Sequence, residues 1–243
     1  MSTTRARLLD CSQVQGHIDF VKVRAGGYSG VYLKATEGAH YVDPSFDDNC
    51  ARARIAGLLV GAYHFLTAQA PVADQIALFV GTALNKSDLP PAVDFEYPPP
   101  EKWIPPITGP NLLARALEAC RLTTVGFGHV CLYTYPYFMQ GIVRTCDAES
   151  LAKLALIPLW IASYHDEKHE PTDADQPTIP KPWTTWFAWQ WSGDHGLAAP
   201  GVNCVVDHDV FNGTPEELEA LVIPNYEIGV NEDTDPGSPP GTV

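Results

Sequence analysis

Eight short runs of apolar and β-branched residues punctuate the chain, at 7–10, 31–36, 58–65, 92–97, 129–135, 158–164, 186–191 and 205–211. They are nearly continuous in hydrophobicity, the pattern of strands covered on both faces. Between the early runs the period changes to that of a helix. Phe46, Cys50, Ala53, Ile55 and Ala56 share one face over 44–56, and Ile76, Ala77, Phe79 and Val80 mark a second helix over 72–84. Leu113, Ala116, Leu117 and Cys120 mark a third over 112–122, with Asn111 as its cap. Strand, helix, strand in repetition predicts right-handed βαβ units around a parallel sheet.

From 158 onward the strands follow one another through loops such as 165–182, too polar and Pro-rich for core helices. The pattern predicts an α/β fold: a modified TIM-like barrel with about five β/α units followed by three strands without core crossover helices. Thr214, Pro215 and Glu217 predict a capped closing helix. The expected organisation is one barrel domain over 1–223 and a polar, disordered tail over 224–243. A length of 243 residues suits a single barrel, since α/β barrels run to about 250 residues as one unit.

Composition then removes several function classes. With 45% hydrophobic and 10% aromatic residues the chain can build a core. Its net charge of −14 argues against a nucleic-acid partner and against a polybasic membrane anchor. No run of 18 apolar residues predicts a membrane span, and the first ten residues lack the apolar stretch of a secretory signal. The expectation is therefore synthesis in the cytoplasm without a signal peptide. Six cysteines without a C-x-x-C read as free thiols rather than a zinc or redox site. His165 and His169 imitate a metal pair, but their polar loop offers no third ligand, so no metal and no cofactor are expected. His64 reads as a satisfied barrel histidine, and Trp183, Trp186 and Trp189 as core.

Barrel enzymes carry their chemistry at the C-terminal ends of the strands. Those ends here hold Asp10, Glu37, Tyr63-His64-Phe65, Asp94-Phe95-Glu96, Tyr133 and Tyr135, Tyr164, Gln190-Trp191, and Asp207 with Asp209. Packing alone would place valine or isoleucine there. Asp94 and Glu96, two apart on a strand, share a face with Cα atoms about 6.5 Å apart. Two acids so close in an enclosed site cannot both ionise easily, and such a pair suits glycosidic bond cleavage.

Seven motifs in order extend this reading: Asp10-Cys-Ser-Gln-Val-Gln-Gly16, Tyr32-Leu-Lys-Ala-Thr-Glu-Gly38, Gly61-Ala-Tyr-His-Phe65, Val93-Asp-Phe-Glu96, Pro158-Leu-Trp-Ile-Ala-Ser-Tyr164, Trp189-Gln-Trp-Ser192 and Val206-Asp-His-Asp-Val-Phe-Asn-Gly213. Through them the chain resembles glycoside hydrolase family 25, the lysozymes of the Chalaropsis or muramidase type. The resemblance implies hydrolysis, with retention, of the β-1,4 bond between N-acetylmuramic acid and N-acetylglucosamine in bacterial peptidoglycan. By position, Glu96 is the proton donor, and Asp94 is either the nucleophile or the group that orients the substrate acetamido. Asp10 and Asp207 line the floor. Tyr63, Tyr133, Tyr164, Glu37 and Gln190 become substrate-binding candidates, and Trp103, Trp160 and Trp191 candidates for stacking on sugar faces. Asp209 departs from the family, which often has Asn there. A monomer acting on the wall after release, as a phage endolysin does through holin-type lysis or as an enzyme carried by a secretion or phage-tail apparatus, is the expected role. Rival readings are a chitin-type glycosidase, whose upstream acids are replaced by Leu89 and Ala92, a metal-dependent amidase, for which no H-E-x-x-H exists, and a lectin-like, non-catalytic glycan-binding barrel.

Overall fold

The computed structural model describes residues 4–97, 107–193 and 196–222; the expected tail and Trp103 lie outside the described residues. Among those described, β1 (Arg7–Cys11), β2 (Tyr28–Glu37), β4 (Leu59–Phe65), β5 (Ala92–Asp94), β6 (Cys131–Thr134), β7 (Leu159–Ala162), β8 (Ala188–Ser192) and β9 (Asp207–Phe211) close into a barrel through the β1–β2 pairing. A two-residue strand, β3 (Tyr41–Val42), extends the free end of β2. The connections are α1 (Phe20–Ala25), α2 (Phe46–Ile55), α3 (Val72–Ala83), α4 (Gly109–Phe127), and the pair α5 (Pro136–Thr145) and α6 (Ala148–Leu154). No helix among the described residues joins β7 to β8 or β8 to β9, so five β/α units precede three bare strands, as the pattern predicts.

Two details differ from expectation. The barrel strands β1, β2 and β4 to β8 run parallel, but β9 is antiparallel to both β8 and β1. Asp207 therefore opens its strand rather than ending it, level with Asp10, while Asp209 sits one pleat deeper. Helix α4 starts earlier than its apolar periodicity, capped not by Asn111 but by Thr108, whose hydroxyl accepts the Asn111 N–H. Pro110 is tolerated in that first turn, where its missing N–H has no helical partner to lose. The helix ends at Gly128, whose φ of 83° is the left-handed conformation that stops helices. The closing helix α7 (Pro215–Glu219) carries the full Thr214–Glu217 capping box.

Alternation along the strands divides the core in two. Outward residues such as Leu9, Val31, Val60 and Val93 pack against the helices. Inward residues at the lower end of the barrel, among them Leu8, Tyr32, Ala92, Trp160 and Phe211, fill its interior. Tyr32 crosses that interior to donate its hydroxyl to the Pro90 carbonyl at 2.9 Å. It does so over Gly61, where an added Cβ would stand 2.3 Å from the ring. On every barrel strand but β7, moving up by two residues exchanges these small or apolar side chains for polar ones, which is how the fold makes a site.

Candidate active site

The upper end of the barrel holds a cavity of about 210 Å³. Asp10 enters it from β1, two residues above Leu8, and Lys34 from β2, two above Tyr32. Tyr63 and Phe65 come from β4, Asp94 and Glu96 from β5 and the residues just after it. Tyr133, Trp160, Gln190 and Asp207 complete the ring from β6 to β9. Asp94 and Glu96 share this inward face, while Phe95 between them packs outward, edge-on to Phe138 of α5.

A hydrogen-bond network fixes the polar floor. Tyr133 and Tyr164 each donate a hydroxyl to Gln190 Oε1, at 2.9 and 2.5 Å. With its oxygen so occupied, Gln190 presents its amide N–H to Asp10 Oδ2 at 2.7 Å. Trp160 is 2% exposed; its Nε1–H donates to Asp209 Oδ1 at 2.7 Å, and its ring packs against Tyr32 and Tyr133. Burial leads in pushing Asp94 well above the usual carboxylate range, with the charges of Glu96 and Asp10 adding to it. Burial likewise raises Asp10, Asp209, and the hydroxyls of Tyr63 and Tyr133. Asp94 Oδ1 is buried with no hydrogen-bond partner.

The cavity gathers Asp10, Tyr63, Asp94, Glu96, Tyr133, Trp160, Gln190 and Asp207 as the sequence predicts. Tyr164 joins through its hydroxyl alone. Glu37 stands beside the cavity, paired with Lys34 Nζ at 2.6 Å, and lines a neighbouring cavity of about 550 Å³ that shares Lys34 with the first. Trp191 is not in the site. Successive residues on a strand face opposite ways, so Gln190 inward forces Trp191 outward, where it packs against His208 and is 4% exposed. Burial likewise leaves Trp160 only its edge for a sugar. Lys34 was missed, and Phe65, named only at its strand end, was given no role; a lysine two residues after an inward tyrosine on a buried strand was the available signal. A register slip between Lys34 and Thr36 then turns Thr36 outward to His64 Nδ1, at 2.7 Å. His64 is the satisfied histidine expected, and Trp183, Trp186 and Trp189 are core. His169 pairs with Asp166 at 2.7 Å, and no group of three metal-binding side chains occurs among the described residues. All six cysteines are free.

Comparison with known proteins follows the same line. The model of glycosyl hydrolases family 25 matches residues 9–199. The chain is 28% identical over 229 residues to Lysozyme M1 of Streptomyces globisporus, covering 90% of this chain and 72% of that one. The crystal structure of a bacterial lysozyme from Streptomyces coelicolor superposes with a TM-score of 0.75 at 27% identity, covering 90% of this chain and 97% of that one. A muramidase from Acremonium alcalophilum gives 0.72 at 25% identity, covering 89% and 98%. Motifs, barrel and ring of acids thus converge: the chain belongs to glycosyl hydrolases family 25 and is a glycoside hydrolase of the lysozyme type.

Proposed function

We propose that this protein is an N-acetylmuramidase of peptidoglycan in which Glu96 protonates the departing glycosidic oxygen and Asp94 assists at the anomeric carbon with retention of configuration. The observation that carries the reading is the pair itself: Asp94 and Glu96 on one inward face, in a cavity walled by Asp10, Asp207, Tyr63 and Tyr133. Glu96, the less buried of the two, stands where it can meet a leaving oxygen. Asp94 is deeper, and burial, with the charges of Glu96 and Asp10 added, raises it well above the usual carboxylate range. Its Oδ1, lacking any protein donor, matches a substrate acetamido N–H, which favours orientation of that group over direct attack. Asp10 and Asp207 line the floor and hold the sugar, and the cavity beyond Lys34 and Glu37 continues the groove along the glycan.

Digestion of purified peptidoglycan by wild type and by Glu96→Gln, followed by mass spectrometry, tests the assignment. Muramidase action leaves fragments with reducing-end muramic acid, and Glu96→Gln leaves the polymer intact. Release of free peptides, or wild-type lysis by Glu96→Gln, would overturn it.

A further inference from the structure

Strand β5 is three residues long and stops at Asp94. The sheet follows the chain one step further, where the Phe95 N–H donates to the Tyr133 carbonyl at 2.9 Å. Glu96 stands past the strand's end, so its aim depends on what holds its two neighbours. Phe95 is held through its ring, edge-on to Phe138 of α5 with centroids 4.9 Å apart. Tyr97 is held through its carbonyl, which accepts the Tyr135 hydroxyl at 2.7 Å. The Tyr135 ring packs against the same Phe138, 5.7 Å away. One wholly buried ring thus fixes both the residue before Glu96 and the side chain that grips the residue after it.

The residue type at 135 is not what its local structure asks for. Tyr135 occupies the cap of α5, where Ser, Thr, Asp or Asn would satisfy a free helical N–H, and its side chain makes no capping bond. Packing asks for no hydroxyl either, since phenylalanine would cover Phe138 as well. A second hold on Tyr97 comes from the other side. Gln69, in the loop between β4 and α3, donates its amide to the Tyr97 hydroxyl at 3.1 Å. That loop is itself anchored: the wholly buried Gln75 donates to the Thr67 and Ala70 carbonyls at 3.0 and 2.9 Å, and Arg115 of α4 donates to the same two.

We infer that Tyr97 is clasped in order to aim its neighbour, and that Tyr135, aided by Gln69, is the positioning residue that keeps the Glu96 carboxyl turned into the cavity. The inference rests on the reading of Glu96 as the proton donor. Tyr135 does not line the cavity, so its effect on the reaction passes through the chain at Glu96. A glutamate carboxyl sits three torsions from its backbone, and a small shift of that backbone moves it out of reach of a leaving oxygen.

Tyr135→Phe keeps the ring against Phe138 and deletes the hydroxyl. On soluble, uncross-linked peptidoglycan strands its kcat is expected to fall by about 5- to 100-fold, the range from one lost hydrogen bond to a group displaced by about 1 Å. KM is expected to stay within about twofold, because the walls of the cavity are untouched. The same substitution is made in Glu96→Asp, whose shortened acid is already out of place, and there it is expected to cost no more than about twofold. An unchanged kcat in Tyr135→Phe, a loss expressed in KM alone, or an equal loss in both backgrounds overturns the positioning role. Glu96→Gln, measured beside them, separates this from the reading beneath it. Wild-type lysis by Glu96→Gln removes the proton donor itself, whereas an inactive Glu96→Gln with Tyr135→Phe at full rate strikes Tyr135 alone. If Tyr135→Phe does not fold, Tyr97→Phe releases the Gln69 hold on the same residue, and an undiminished kcat there overturns the clasp.

Discussion

Acid is expected to weaken this barrel through His64, and the size of the effect follows from its surroundings. The ring is wholly buried between β4 and α3, 5.5 Å from the Phe79 ring. Gln75 Oε1 accepts from the Thr67 N–H, and the Gln75 amide donates to the Thr67 and Ala70 carbonyls, so the oxygen faces His64. Nε2 therefore carries the ring proton and Nδ1 accepts from the Thr36 hydroxyl, a neutral tautomer with both nitrogens engaged. Burial lowers the folded pKa from 6.5 to about 4. Below pH 6.5 the unfolded chain takes up a proton that the folded chain refuses, so stability falls with pH until the folded pKa is reached. At about 1.4 kcal/mol per unit, and allowing for half-protonation of the folded ring at about pH 4, the loss is about 3 kcal/mol between neutrality and that point. That is a large share of the 5–15 kcal/mol by which domains of ordinary stability stay folded. Urea unfolding of wild type and His64→Gln at several pH values isolates the effect, because the other titrating groups cancel in the difference. The wild type should lose about 3 kcal/mol relative to the variant as pH falls from about 7 to about 4. A difference that stays flat refutes the reasoning. Tyr63 and Phe65, the neighbours of His64 on β4, line the catalytic cavity, so the same acid transition is expected to cost activity.

Three further outcomes are expected. Asp94→Asn abolishes lysis but stabilises the protein at neutral pH: burial makes the folded state hold a proton that the unfolded state releases, so wild-type stability drops as pH climbs above the ordinary carboxylate range. Calorimetric Tm differences between variant and wild type should be large at neutrality and vanish in acid, and equal differences at both would contradict this. Gly61→Ala drives a methyl into the Tyr32 ring and should cost about 1–3 kcal/mol or more, seen as a lowered Tm, with an unchanged Tm as the refuting result. Trp160→Phe keeps most of the packing but removes the donor from Asp209 Oδ1; a loss of about 1.5–3 kcal/mol in urea unfolding is expected, and none would mean the carboxylate is satisfied otherwise.

The sequence was most readable where one face of an element dominates. Buried strands announce themselves as apolar runs, so all eight barrel strands were foreseen, as was the loss of crossover helices after β7. Helices α2 and α3 showed their apolar faces, whereas α1 and α6, of six and seven residues, are too short for a period to emerge. The alternation that made Asp94 and Glu96 legible also contained the correction for Trp191, since neighbours on a strand cannot both point inward.

Pattern and motif alone determined that this chain is a barrel with acids at the strand ends, because burial on both faces and a two-residue repeat are local properties. The direction of β9 is not local: a bare strand can enter a barrel either way, and only the closure against β1 and β8 decided it. That direction set Asp207 level with Asp10 and Asp209 one pleat beneath it, where its Oδ1 meets the Trp160 indole N–H. Depth, and the partners it allows, decide where protons reside. Those are properties of the folded interior, where charge is costly unless another group receives it.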